Sequence, residues 1–217
     1  MRLLSISVGQ PQKVRHQGKD VLTAIYKSPV AGPVLVRTTG IDGDRQANPE
    51  VHGGPDKTVL SFAIENYPFY QERFGLGDLP HGFFGENLTT SGITETGARI
   101  GDRYRAGDAL LEVTMPRSPC FKFGLRLGAS EAQRACLESG CTGIYFRVLE
   151  PGAIAAGDHL ILIRSDPDAP SVHEIHRLRF FDKRDAPSMR RALGMPALAQ
   201  VVRAEFETRL SELDQPA

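Results

Sequence analysis

Cys120 stands in the run PRSPCFK, residues 116–122. The two prolines fix the backbone around the thiol, and Arg117 and Lys122 place positive charge where it stabilises a thiolate. A stiff, activated thiolate is what a soft-metal ligand or a nucleophile requires. A free cysteine is also commonly a buried, inert thiol, and the local pattern alone admits either reading.

Two further segments could serve a ligand. In VHGGPDK, residues 51–57, adjacent Gly53 and Gly54 permit positive φ, so that successive backbone N–H groups can converge on an anion, with Lys57 adding charge beside them. A tight turn that needs glycine for geometry explains the same residues. In FGENLTT, residues 84–90, the Asn87 amide can both donate to and accept from the edge of a heterocycle, or simply serve a turn. His16, His81, His159, His173 and His176 have no metal-ligand spacing, and surface histidines are the default. Gly75-Leu76-Gly77 lacks the third glycine of a dinucleotide fingerprint, no P-loop occurs, and three cysteines without a cluster cannot hold an iron–sulfur centre.

These segments must be positioned by a mainly β scaffold. Gly-Asp pairs at 43–44, 101–102, 107–108 and 157–158 punctuate apolar runs, and residues 4–8, 34–36, 109–113, 145–149 and 160–163 have the alternation or β-branched content of short strands. Strands of this rhythm close most easily into a barrel or sandwich. Ile64, Tyr67, Tyr70 and Phe74 give residues 56–74 a near-helical stride, with Pro68 near a helix start or kink. Ser130 and Gln133 form a possible capping box for a short helix that contains Cys136 and stops at Gly140. The run SDPDAP at 165–170 reads as a linker. Beyond it, Ser171 and Glu174 make a second capping box, Leu198, Val202, Phe206, Leu210 and Leu213 make one apolar helix face, and breaks at Pro187 and Pro196 divide the remainder into three helices. The expected organisation is a domain over 1–165 and a three-helix extension over 171–217.

Composition narrows the function further. The 26 basic and 26 acidic residues cancel, which argues against a nucleic-acid or anionic-membrane partner. The three cysteines are an odd number without a CxxC pair, which fits a reducing, cytoplasmic setting. Residues 1–10 lack a signal-peptide core and no run approaches the roughly 20 apolar residues of a membrane span. A soluble protein is expected.

Taken together, GIDGDRQ at 40–46, VHGGPDK at 51–57, FGENLTT at 84–90, IGDRYRAGDALLEVT at 100–114, PRSPCFKF at 116–123 and TGIYFRVLEPG at 142–152 resemble the MOSC family, named for the C-terminal domain of molybdenum cofactor sulfurase. The resemblance covers residues 28–165, and the chain beyond 170 is similar to the three-helix extension of the YiiM-like branch. It implies a β-barrel-like domain that binds the molybdenum cofactor, with Cys120 as metal ligand and catalytic residue. By the same mapping His52, Gly53, Gly54, Asn87 and Arg117 would contact the pterin or its phosphate, with Lys57 and Lys122 beside them. Members of that branch, and the related amidoxime-reducing components, reduce N-hydroxylated compounds, which implies reductive loss of the hydroxyl oxygen from a substrate such as an N-hydroxylated purine base. Because the chain has no flavin or iron–sulfur motif of its own, a separate flavin or iron–sulfur reductase would supply electrons, and the three-helix segment is expected to form part of its docking surface or to serve a homodimer. Cys136 and Cys141 lie outside the pattern.

Two rival readings remain at this stage. One is a metal-free cysteine hydrolase in which Cys120 attacks, His52 is the base and Asn87 orients it. The other is a carrier that binds the cofactor or a sulfur atom for another enzyme.

Overall fold

The computed structural model describes residues 1–215, with Val51 and His52 as backbone alone. In chain order the strands are β1 (Arg2–Val8), β2 (Gln12–His16), β3 (Lys19–Thr23), β4 (Ser28–Pro29), β5 (Val34–Arg37), β6 (Gly40–Ile41), β7 (Val59–Ala63), β8 (Leu88–Ser91), β9 (Arg103–Ala106), β10 (Ala109–Pro116), β11 (Ile144–Glu150), β12 (Gly152–Ile154) and β13 (Leu160–Arg164). The helices are α1 (Pro49–His52), α2 (Tyr67–Phe74), α3 (Phe121–Leu127), α4 (Ala132–Ser139), α5 (Val172–Phe180), α6 (Ala186–Leu193) and α7 (Gln200–Leu213). Among the described residues no helix is long and apolar enough to cross a membrane.

Eight strands form one sheet in the order β13-β9-β10-β11-β7-β8-β1-β4, with β7 and β8 its parallel pair. All five runs expected to be strands lie within β1, β5, β10, β11 and β13. The sheet curls without closing into a barrel. β1 meets the start of β13 through one isolated bridge, Arg2 to His159, supported by Leu3 N–H donating to Asp158 O at 2.9 Å and Leu160 N–H to Met1 O at 3.1 Å. β5, β6 and β12 make a smaller sheet, and β2 with β3 forms a hairpin.

Two local expectations need correction. Residues 56–74 are not one helix: after a 3-10 turn ending at Lys57, Val59–Ala63 is a strand buried at every position, and the helical part opens with a 3-10 turn at Ile64–Asn66 and continues as α2 from Tyr67, with Pro68 in its first turn. A strand covered on both faces loses the alternation that would announce it. The Ser130 box does not form: α4 starts at Ala132 without a side-chain cap, and Ser130 Oγ turns to Glu131 Oε2 at 3.3 Å. Gly140 does end that helix in the left-handed conformation, and Cys136 is buried within it.

The Ser171–Glu174 capping box forms in full at the start of α5. Leu198, Val202, Phe206 and Leu210 are buried as their spacing requires, whereas Leu213 is 40% exposed beyond the contact. The three helices do not carry a core of their own. Val172, Ile175, Met189, Val202 and Phe206 belong to the same apolar cluster as Leu111, Val113 and Phe146 of the sheet. A second cluster of Phe62, Tyr67, Tyr70, Phe84, Phe123, Leu127 and Cys136 fills the space between α2, α3 and α4.

Candidate functional site

Cys120 immediately precedes α3 and is partly exposed in the wall of a cavity. The loop that carries it is held at consecutive residues. Arg117 N–H donates to Gly143 O at 2.9 Å, Ser118 Oγ accepts from Arg179 Nη1 of α5 at 2.8 Å, and Pro119 O accepts from Gln133 Nε2 of α4 at 2.9 Å. The two prolines therefore act together with contacts from three other parts of the chain.

The cavity encloses about 600 Å³, open solvent at its mouth included. Lys57, Asn87, Arg117, Cys120 and Lys122 all line it, so the fold brings together five of the residues named from sequence. Arg117 is buried, donates to Phe84 O at 2.7 Å and lays its guanidinium over the Phe123 ring at 5.0 Å. Burial, and then the charge of Arg179, hold Lys57 below the ordinary lysine pKa.

Asn87 sits in the wall, but its amide is largely committed to the scaffold. It donates to Asp44 Oδ2 at 2.9 Å, and its oxygen accepts Leu60 N–H at 3.3 Å. Gly53 and Gly54 are not among the lining residues. Their glycine character has a backbone explanation: a Cβ on Gly53 would stand 2.4 Å from Pro49 O, and Gly54 has φ +97°. The His52 side chain lies outside the described residues.

A second group in the lining, Lys27, Asp44, Arg45, Gln46 and Tyr145, had no site role from sequence, although Asp44, Arg45 and Gln46 lie in the GIDGDRQ run and Tyr145 in TGIYFRVLEPG. Lys27 is buried and paired with Asp44, which also accepts Gly9 N–H at 2.8 Å. Desolvation lowers the Lys27 pKa against the opposing pull of Asp44. Burial raises that of Tyr145, against the nearby Arg117. Asp44 follows Gly43, whose φ of +88° turns the chain into the cavity wall, so the Gly-Asp signal was visible as a turn and not as a site. Lys27 carried no sequence signal, because its neighbours are distant in the chain.

Glu86, beside Asn87, faces the protein interior. Its Oε1 accepts Tyr67 OH at 2.5 Å, Gly82 N–H at 2.9 Å and Thr89 Oγ1 at 3.0 Å, while Oε2 has no hydrogen-bond partner among the described residues.

Residues 48–161 match the MOSC domain, more than half of the chain. The chain belongs to the MOSC family. Residues 170–213 match the YiiM-like, 3-alpha helix domain, which in this MOSC protein is α5 to α7 with their connections. The chain is 36% identical over 211 residues to the uncharacterized protein YflK of Bacillus subtilis (strain 168), covering 97% of this chain and 95% of that one. It is 35% identical over 179 residues to a protein named Reductase from Gibberella moniliformis (strain M3125 / FGSC 7600), covering 81% of this chain and 32% of that protein. The crystal structure of YiiM from Geobacillus stearothermophilus superposes with a TM-score of 0.82 at 33% identity, covering 96% of this chain and 98% of that one. The mainly β fold with a helical C-terminal unit is thus that of a MOSC protein of the YiiM kind.

Proposed function

We propose that this MOSC protein is a molybdenum-cofactor-dependent reductase of N-hydroxylated compounds, such as N-hydroxylated purine bases, working in the cytoplasm with electrons from a separate flavin or iron–sulfur reductase. The observation that carries the reading is the make-up of the Cys120 cavity. Lys27, Arg45, Lys57, Arg117 and Lys122 supply cations around a single thiol, and Asp44 is the carboxylate in the described lining. That donor set fits a phosphate-bearing ligand that brings a thiophilic metal with it. Among the described residues, no group of three or more His, Cys, Asp or Glu side chains could hold a metal ion alone. Cys120 would therefore add one ligand to a metal whose other ligands arrive on the pterin.

Bound there, the cofactor supplies the two-electron chemistry. The overall change adds two electrons and two protons to an N–OH group, breaks the N–O bond, and yields N–H and water. The chain's own part is to orient and enclose: Arg117, Lys57 and Lys122 would hold the anionic end, while the pinned 116–120 loop sets the direction of the thiol. The relative named Reductase supports a redox role through its 35% identity over 179 residues, a segment that makes up about a third of that longer protein. The hydrolase alternative draws less support, because the Asn87 amide that would orient its base is engaged with Asp44 and with Leu60 N–H.

The test is elemental analysis for molybdenum, with fluorescence of the oxidised pterin, on wild type and Cys120→Ala from a cofactor-competent host, followed by reduction of a hydroxylaminopurine with a supplied electron donor. Metal and pterin at one per chain in wild type only, with turnover, is expected. Equal metal in both proteins would refute the ligand assignment; cofactor without turnover by any donor would favour a carrier.

A further inference from the structure

One side chain of the three-helix unit reaches the loop that carries Cys120. Arg179 on α5 is 9% exposed, and its guanidinium divides its donors between two units of the fold. Nε donates to Glu205 Oε2 of α7 at 2.9 Å, and Nη1 donates to Ser118 Oγ at 2.8 Å, two residues before Cys120. Glu205 is itself held by Arg209, whose other donors go to Leu178 O and Arg179 O, each at 2.9 Å. The anchor behind Arg179 is therefore fixed on both its carboxylate and its backbone side. A planar fork with this backing delivers its remaining N–H groups in a set direction, which a lysine ammonium cannot do.

We propose that Arg179 is a positioning residue for Cys120, holding the 116–120 loop at Ser118 so that the thiol keeps a fixed aspect toward the cavity. Arg117 and Pro119 are tied to the turn after α4 and to α4 itself, so the Ser118 bond is the point at which the helical extension governs the loop. The extension thereby becomes part of the site. This rests on Cys120 being the functional thiol, but on neither the metal nor the substrate.

Alkylation of Cys120 by iodoacetamide reads the aspect of the thiol directly. Peptide mass spectrometry separates it from Cys136, whose pKa burial pushes up to about 12, and from Cys141, also raised by burial. The rate is followed with pH in the full chain, free of cofactor, up to the plateau where ionisation no longer limits it. Arg179→Gln and Ser118→Ala should each raise the plateau rate at least about threefold, and the double variant should match either single one, because both remove the same tie. Arg179→Lys should not restore the wild-type rate. Arg177→Gln, also on α5, which breaks an exposed pair with Asp182 just beyond the helix, should leave it unchanged.

Ser118→Ala removes only a hydroxyl, so the comparison survives if an Arg179 variant fails to fold. An unchanged plateau in Ser118→Ala, or effects that multiply in the double variant, would overturn the proposal and leave Arg179 as a stabilising contact. Since the assay contains neither molybdenum nor substrate, its failure and that of the reductase reading are separable.

Discussion

The carboxylate of Asp56 accepts the backbone N–H of Gln200, the first residue of α7, at 2.8 Å, although the two are 144 positions apart. Its other oxygen takes the Arg147 guanidinium at 2.6 Å, and Arg147 in turn donates to Ala197 O at 2.9 Å. α7 has no side-chain cap of its own, so a residue of the glycine-rich segment near the site supplies a hydrogen bond that a helix start ordinarily finds locally.

Asp56→Asn should therefore loosen the seam between sheet and helices. Loss of the charged acceptor, with Arg147 left mostly buried beside it, is expected to cost about 2 to 3 kcal/mol. Chemical denaturation measures the total, and hydrogen exchange at the first turn of α7 should show protection lost there first.

Acid should act through His176. Its Nε2 donates to Leu137 O at 2.8 Å, and its buried Nδ1 has no partner among the described residues. Burial first, then His173, Arg179 and Arg177, hold its pKa below the ordinary 6.5, against the bond to Leu137. Between the folded value and 6.5 the unfolded chain binds more protons, so stability is full above 6.5 and falls as pH drops through that window. The slope attributable to this group cannot exceed about 1.4 kcal/mol per pH unit. Melting temperatures of wild type and His176→Phe from pH 7.5 to 5 should converge on the acid side, the variant having the flatter profile.

Removal of Glu86 should be costly for a different reason. Glu86→Ala strands Tyr67 OH and Gly82 N–H in the interior and is expected to cost about 3 kcal/mol or more, whereas Tyr67→Phe, which removes one donor, should cost about 1.5 kcal/mol. Urea unfolding of both variants checks the order.

If the cavity holds a phosphate-bearing cofactor, its cations should be felt as salt dependence. Lys122→Ala should weaken retention about tenfold, or about 1.4 kcal/mol, and flatten the loss of affinity with rising ionic strength. Cofactor release from the loaded protein at graded salt concentrations reports both.

What could be read in advance follows from how local each signal is. The Ser171–Glu174 box spans four residues and needs nothing else, and the stride from Leu198 to Leu210 repeats a single face, so both survive in the folded chain. Val59–Ala63 was hidden because a strand covered on both faces has no period. In the site, Cys120, Arg117 and Lys122 share one short run, whereas Lys27 and Asp44 meet across 17 residues and Arg179 meets Ser118 across 61. Pairings of that kind are set by how the sheet curls and where the helices pack, which no local pattern records.

The second apolar cluster also makes the protein a convenient optical object. The chain has no tryptophan and five tyrosines, so its near-ultraviolet dichroism comes largely from tyrosine. Tyr67 and Tyr70 are fixed in that cluster with their rings 5.0 and 4.6 Å from that of Phe84. Tyr145 stands in the cavity wall. One spectrum thus contains a signal from the packing beneath the site and another from its lining, and a titration with ligand should change the second while the first stays constant.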